Sequence, residues 1–154
     1  MDFVKKAGRD PRSNVVFKTV DEVVNNSNVL QDDDELFIPL LPNTSYILEC
    51  GILVNSPSGT PDIQISGVLP VGCEITSQLS YRTTAAAWGI DQWNASGSTT
   101  SCLADATTRM PFYLVAAVRN GANAGNFQIR WAQWVPTAED TTVKAGSFIR
   151  TTRK

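Results

Sequence analysis

Apolar and polar residues alternate with a period of two along most of the chain. That is the spacing of strands that bury one face and wet the other. Val15, Phe17 and Thr19 alternate with Val16 and Lys18. Leu36, Ile38 and Leu40 alternate with Phe37 and Leu41, with Pro39 between them. Tyr46, Leu48, Cys50, Ile52 and Val54 alternate with Ile47, Glu49, Gly51 and Leu53. Ile63 and Ile65 follow Pro61-Asp62, and weaker alternation touches Ile75, 78–81 and the neighbourhood of Trp88. Phe112, Leu114, Ala116 and Val118 alternate with Tyr113 and Val115. Phe127, Ile129, Trp131 and Val135 alternate with Gln128, Arg130 and Ala132, and Phe148-Ile149 end the series.

Turn-forming residues separate these runs: Leu41-Pro42-Asn43, Asn55-Ser56-Pro57-Ser58-Gly59, Leu69-Pro70-Val71-Gly72, Asn120-Gly121 and Ala145-Gly146. They supply the dihedrals that tight turns require. The stretch from Arg119-Asn120-Gly121 to Gly125 reads as a hairpin loop between two long strands. Val20-Asp21-Glu22-Val23-Val24 and 83–88 could each make one helical turn, but no segment sustains helical spacing. About eight short strands with regular turn signals predict a single antiparallel β-sandwich, jelly-roll-like, over 15–154. Residues 1–14 read as an extended basic N-terminal arm. There Lys5, Lys6, Arg9 and Arg12 oppose Asp2 and Asp10, and Gly8 and Pro11 interrupt any helix.

Composition narrows the function classes. The chain has 154 residues, 42% hydrophobic and 18% charged. The charged share is below the roughly 25% of an average domain, which argues for a packed core and against disorder. No apolar run approaches the roughly 18–20 residues of a membrane helix, and Met1-Asp2-Phe3-Val4-Lys5-Lys6 shows no secretory signal. The chain contains no histidine. Histidine triads, histidine metal sites and the usual general base near neutral pH are therefore excluded. A net charge of −2 argues against a nucleic-acid-binding surface. Cys50, Cys73 and Cys102 match no zinc spacing and read as reduced, buried thiols, with Cys50 and Cys73 inside strands.

Several residues stand out chemically. Asp32-Asp33-Asp34-Glu35 offers carboxylates for a cation, or backbone-bonded aspartates that fix a turn before the strand at Leu36. Trp131 and Trp134 lie three apart, which places them on opposite sides of one strand. Trp88 and Trp93 sit among small and polar residues, where aromatics either anchor an interface or pin a loop. Arg150, Arg153 and Lys154 make the C-terminus basic, like the arm, and suit docking on an acidic surface. Asp62, Glu74, Asp91 and Asp105 are the carboxylates a sandwich glycosidase would need in a close pair, but no spacing brings two together. No catalytic residue, cofactor or metal is assigned. The candidate partner-interface residues are Lys5, Lys6, Arg9, Arg12, Trp88, Trp93, Arg150 and Arg153.

Two segments carry a resemblance. One runs through Asn26-Ser27-Asn28-Val29-Leu30-Gln31-Asp32-Asp33-Asp34-Glu35-Leu36, then Leu41-Pro42-Asn43-Thr44-Ser45-Tyr46 and Thr60-Pro61-Asp62-Ile63. The other joins Ile129-Arg130-Trp131-Ala132-Gln133 to Asp140-Thr141-Thr142-Val143-Lys144-Ala145-Gly146-Ser147-Phe148-Ile149-Arg150. Together they resemble a β-rich domain of structural proteins in tailed bacteriophage virions, while 73–109 departs from its pattern. The resemblance implies a non-enzymatic virion protein, assembled in the host cytoplasm. The leading expectation is a capsid cement or decoration protein that binds the outside of the head and stabilises the shell. Its partners would be the major capsid protein or other virion proteins, and copies of itself, with a cyclic trimer first by analogy. No direct nucleic-acid or membrane contact is expected. The alternative is a tail or receptor-binding module that recognises carbohydrate, with 88–98 as its obvious place.

Overall fold

The structure, a computed structural model, describes residues 12–154. Lys5, Lys6 and Arg9 lie outside the described residues. The chain forms β1 (Ser13–Phe17), β2 (Glu22–Val24), β3 (Gln31–Leu40), β4 (Ser45–Asn55), β5 (Ile63–Val68) and β6 (Glu74–Arg82). It continues through β7 (Trp88–Asp91), β8 (Thr99–Cys102), β9 (Arg109–Arg119), β10 (Gly125–Gln133), β11 (Thr141–Val143) and β12 (Phe148–Arg153).

The pairing is nested. β1 pairs with β12, β2 with β11, β3 with β10, β4 with β9, β5 with β8 and β6 with β7, all antiparallel. The chain is thus one long hairpin with its tip at β6–β7, rolled so that further pairs form. β12 meets β4, β10 meets β5 and β6 meets β9. The product is an eight-stranded sheet in the order β1-β12-β4-β9-β6-β7, with β11 also pairing β4 and β2 pairing β11, and a four-stranded sheet β3-β10-β5-β8. This is the pairing of a jelly roll, so the expected all-β antiparallel sandwich is the observed architecture.

Between the sheets lie Leu36, Ile38 and Leu40 of β3, Leu48, Cys50 and Ile52 of β4, and Phe127, Ile129 and Trp131 of β10, all buried. These are the alternating sets visible in the sequence. In β1 the faces are the reverse of that reading. Val16 packs on the core and Lys18 is buried, while Phe17 faces out. Both sets there contain apolar residues, so alternation alone could not choose between them. Trp131 is interior and Trp134, just past β10, is exposed.

Four local expectations are corrected. The segment 119–125 is not a hairpin loop, since β9 belongs to the large sheet and β10 to the small one. It carries the chain between layers, held by the Asn120 side-chain amide donating to the carbonyls of Leu41 (2.9 Å) and Asn123 (2.8 Å). The expected helical turn at 20–24 is strand β2, stabilised by its ladder to β11. The expected turn at 83–88 is a bend that leads into β7 at Trp88. Cys73 lies before β6 rather than in a strand and is half-buried, while Cys50 and Cys102 are interior.

The acidic run lies inside β3 rather than before a strand, because its second aspartate has a buried partner. Lys18 Nζ donates to Asp33 Oδ1 at 2.9 Å and to Glu22 Oε2 at 2.7 Å. Asp33 Oδ1 also accepts the N–H groups of Glu35 (3.0 Å) and Leu36 (2.8 Å), and Oδ2 accepts Trp131 Nε1–H at 3.1 Å. The backbone-bonding role expected of these aspartates is present here, joined to a long-range ion pair. Glu35 accepts the N–H groups of Thr19 and Val20. The cluster therefore ties the chain leaving β1 to both β3 and β10.

Protonation of buried and half-buried groups gives stability a definite pH dependence. Burial alone lowers the pKa of Lys18, but its hydrogen bonds to Glu22 and Asp33 and their charges outweigh that, and the net shift is upward from 10.5. Burial pushes Tyr113 up from 10.0, helped by its hydrogen bond to Glu49. Burial also pushes the Cys50 and Cys102 thiols up from 9.0. In each case the folded chain holds its proton more tightly than the unfolded chain does. The stabilisation is complete at neutral pH and is lost as pH rises past those ordinary values. Unfolding midpoints measured in steps from neutral to strongly alkaline pH are expected to fall above about pH 9. A flat profile through that range would contradict the assignment.

Candidate functional site

The large sheet turns one face to solvent, and the register shows what it presents. Residues opposite one another in an antiparallel ladder share a face. One row crosses the sheet as Phe17, Phe148, Gly51, Tyr113, Ser80 and Ile90. The next runs Val15, Arg150, Glu49, Val115 and Gln78. A third runs Ser13, Thr152, Ile47, Ala117 and Thr76.

This face is unusually apolar for an outer surface. Phe17 is 56% exposed, Ile47 52%, Val115 41% and Ile90 72%. Phe17 and Phe148 rings lie 6.0 Å apart. Phe148 and Met110 cover Gly51, where an added Cβ would sit 2.7 Å from the Phe148 ring. In the middle, Arg150 Nε donates to Glu49 Oε2 at 2.6 Å and the Tyr113 hydroxyl donates to Glu49 Oε1 at 3.0 Å. At the end where β12 finishes, Ser45, Ile47, Ala117, Arg119 and Lys154 line a groove of about 540 Å³. A ring of aliphatic and aromatic side chains around a paired arginine has the composition of a protein interface core.

The sequence-selected residues divide. Arg150 stands in the centre of this face, and Arg153 borders the groove. Arg12 lies just before β1, its carbonyl accepting the Arg153 N–H at 2.9 Å. Trp88 is 51% exposed on the edge strand β7, beneath the Arg82 guanidinium 4.5 Å from its ring centre. Trp93 is different. It is buried, it stacks on Phe112 at 5.2 Å, and its Nε1–H donates to Thr100 Oγ1 at 3.0 Å. Of the two roles open to it, interface anchor or loop pin, it takes the second and sits between the sheets, where the packing of distant strands overrides its polar sequence neighbours.

The carboxylates considered for catalysis have separate partners. Asp62 accepts the Ala104 N–H, Glu74 pairs with Arg119 at 2.6 Å, Asp91 accepts the Gln92 N–H, and Asp105 pairs with Arg109 at 3.1 Å. Glu74 borders the groove, and Asp62 borders a different cleft. Among the described residues no group of three or more Asp, Glu, Cys or His is placed to hold a metal. No helix among them is long and apolar enough to cross a membrane.

The apolar outer face was missed at the level of sequence, although its signal was present. The outward sets of β4 and β9 read Ile47, Glu49, Gly51, Leu53 and Tyr113, Val115, Ala117, which is too apolar for faces left to water.

No protein-family model and no curated protein matches the chain. Among solved structures, one chain of the structure of infectious bursal disease virus Gt strain is similar at 7% identity, with a TM-score of 0.25. The likeness covers 94% of this chain and 38% of that one, and is too slight to say anything of role.

Proposed function

We propose that the protein is a non-enzymatic structural component of a tailed-phage virion, a cement or decoration protein of the head. The observation that carries the reading is the apolar outer face of the large sheet. On this reading the face is covered by other copies of the chain, and the basic ends at Arg12, Arg153 and Lys154 meet an acidic shell surface. The resemblance of 23–65 and 129–150 to virion domains supports it. So does the fold, since nested ladders give a stiff slab and no repeat gives the length a fibre needs. Many copies on a symmetric shell make modest contacts strong collectively, through effective concentration. A closed cyclic oligomer would cover the patch on every copy, with a trimer first by analogy.

The test uses heads from a phage that lacks the protein, mixed with purified chain. Wild type is expected to be oligomeric by light scattering and to co-sediment with the heads. The double variant Ile47→Lys/Val115→Lys places charges in the proposed contact on exposed positions, so it should fold. It is expected to be monomeric and to bind at least about tenfold more weakly. A wild-type monomer that leaves heads unbound, or a double variant that assembles normally, would end this reading.

A further inference from the structure

A second cavity lies at one end of the sandwich, away from the outer face. Ile63 pairs with both Cys102 and Gln133, so Asp62, Leu103 and Trp134 stand side by side, one residue beyond the small sheet's ladder. Tyr81 and Arg82, at the end of β6 in the large sheet, join them around a cleft of about 230 Å³, with Thr83 and Ser101 also lining it.

The groups around the cleft are held in place but not used up. Trp134 is 52% exposed, yet its N–H donates to the Pro61 carbonyl at 3.1 Å, as does that of Val135 at 2.9 Å. Asp62 sits at φ 45°, a left-handed conformation that Asp and Asn tolerate better than most residues. Its Oδ1 accepts the Ala104 N–H at 3.1 Å, and its Oδ2 has no partner among the described residues. Burial pushes its pKa up. Tyr81 lies across Gly89, where an added Cβ would come within 2.5 Å of the ring, so this glycine is what admits it. Arg82 is already committed to Trp88 and to the Ala85 carbonyl.

An exposed indole beside an unused carboxylate oxygen and three hydroxyl-bearing residues, Tyr81, Thr83 and Ser101, has a specific complement. A pyranose has a flat C–H face to lay on an aromatic ring and a rim of hydroxyls to donate to a carboxylate. An anion would be repelled by Asp62, and an alkyl group would bury that carboxylate without a partner. The volume is below the roughly 300–1,000 Å³ of drug-sized sites, which suits a single ring. We propose that the cleft between Trp134 and Asp62 is a saccharide subsite for one neutral pyranose with adjacent hydroxyls. This inference does not depend on the role proposed for the outer face.

The test is amide and indole NMR of the full chain, titrated with the methyl glycosides of glucose, galactose, mannose and N-acetylglucosamine, with a glycan array for longer chains. Saturable shifts are expected at the Trp134 indole and at Thr83 and Ser101. Trp134→Ala should weaken binding at least about tenfold. Asp62→Asn, which keeps the left-handed backbone and loses the charge, should weaken it several-fold. Unchanged unfolding midpoints would show that both variants fold. No saturable shift with any of these sugars and an empty array, or binding that survives Trp134→Ala, would overturn the proposal.

Discussion

Asp33→Ala is expected to destabilise the protein by about 3–5 kcal/mol, the cost of breaking a buried ion pair by removing one partner. The carboxylate is buried and takes four donors: Lys18 Nζ, the N–H groups of Glu35 and Leu36, and Trp131 Nε1. Removing it takes a partner from each of them. Lys18 would retain Glu22 at 2.7 Å, but the indole N–H of Trp131 would face an apolar interior. The reverse substitution should cost less. In Lys18→Met the carboxylate still accepts two backbone N–H groups and the indole, so none of those three donors is orphaned. Urea unfolding of the two single variants and the double variant measures this directly. The expected order is Asp33→Ala well below Lys18→Met in stability, with the double variant less stable than wild type by less than the two losses summed. An Asp33→Ala loss under about 1 kcal/mol would show that the cluster is dispensable.

Most of the strands were legible in the sequence because period-two alternation is a local property. Leu36, Ile38 and Leu40, or Phe127, Ile129 and Trp131, each declare a buried face without reference to the rest of the chain. What alternation does not encode is the layer to which a strand belongs. The segment from Asn120 to Gly125 carries hairpin chemistry, yet it crosses between sheets, because β9 gains more by lying between β4 and β6 than by pairing with β10. The ion pair of Lys18 and Asp33 was illegible for a related reason. Its partners are 15 residues apart in sequence and meet only when β1 and β3 are brought together across the layers. The outer face was half legible. Ile47 and Val115 appear in the alternating sets, but nothing local says that they share a patch with Phe17 and Ile90 until the nested ladders align them.

Trp93 and Trp88 make the sharpest contrast between local sequence and packing. Trp93→Ala is expected to cost about 3–5 kcal/mol, whereas Trp88→Ala should cost no more than about 1 kcal/mol. Both occupy the same stretch of small and polar residues, so their neighbours give no hint of the difference. Trp93 spans the sandwich. Its backbone N–H and C=O bond the Ser77 hydroxyl of β6 at 2.7 and 2.9 Å, its indole N–H reaches Thr100 of β8, and its ring meets Phe112 of β9. Room for it comes from Gly67 of β5, where an added Cβ would lie 2.8 Å from both the Trp93 and Phe127 rings. Gly67→Ala should therefore destabilise by about 1–3 kcal/mol through overpacking against two rings that cannot yield. Trp88, by contrast, is half exposed and lies against Arg82 at the sheet edge. Urea midpoints for the three variants, followed by circular dichroism so that losing a tryptophan does not bias the signal, decide the matter. Equal losses for Trp93→Ala and Trp88→Ala would mean that the β7–β8 connection is not wedged between the layers, and the closure of the sandwich at its hairpin tip would need another explanation.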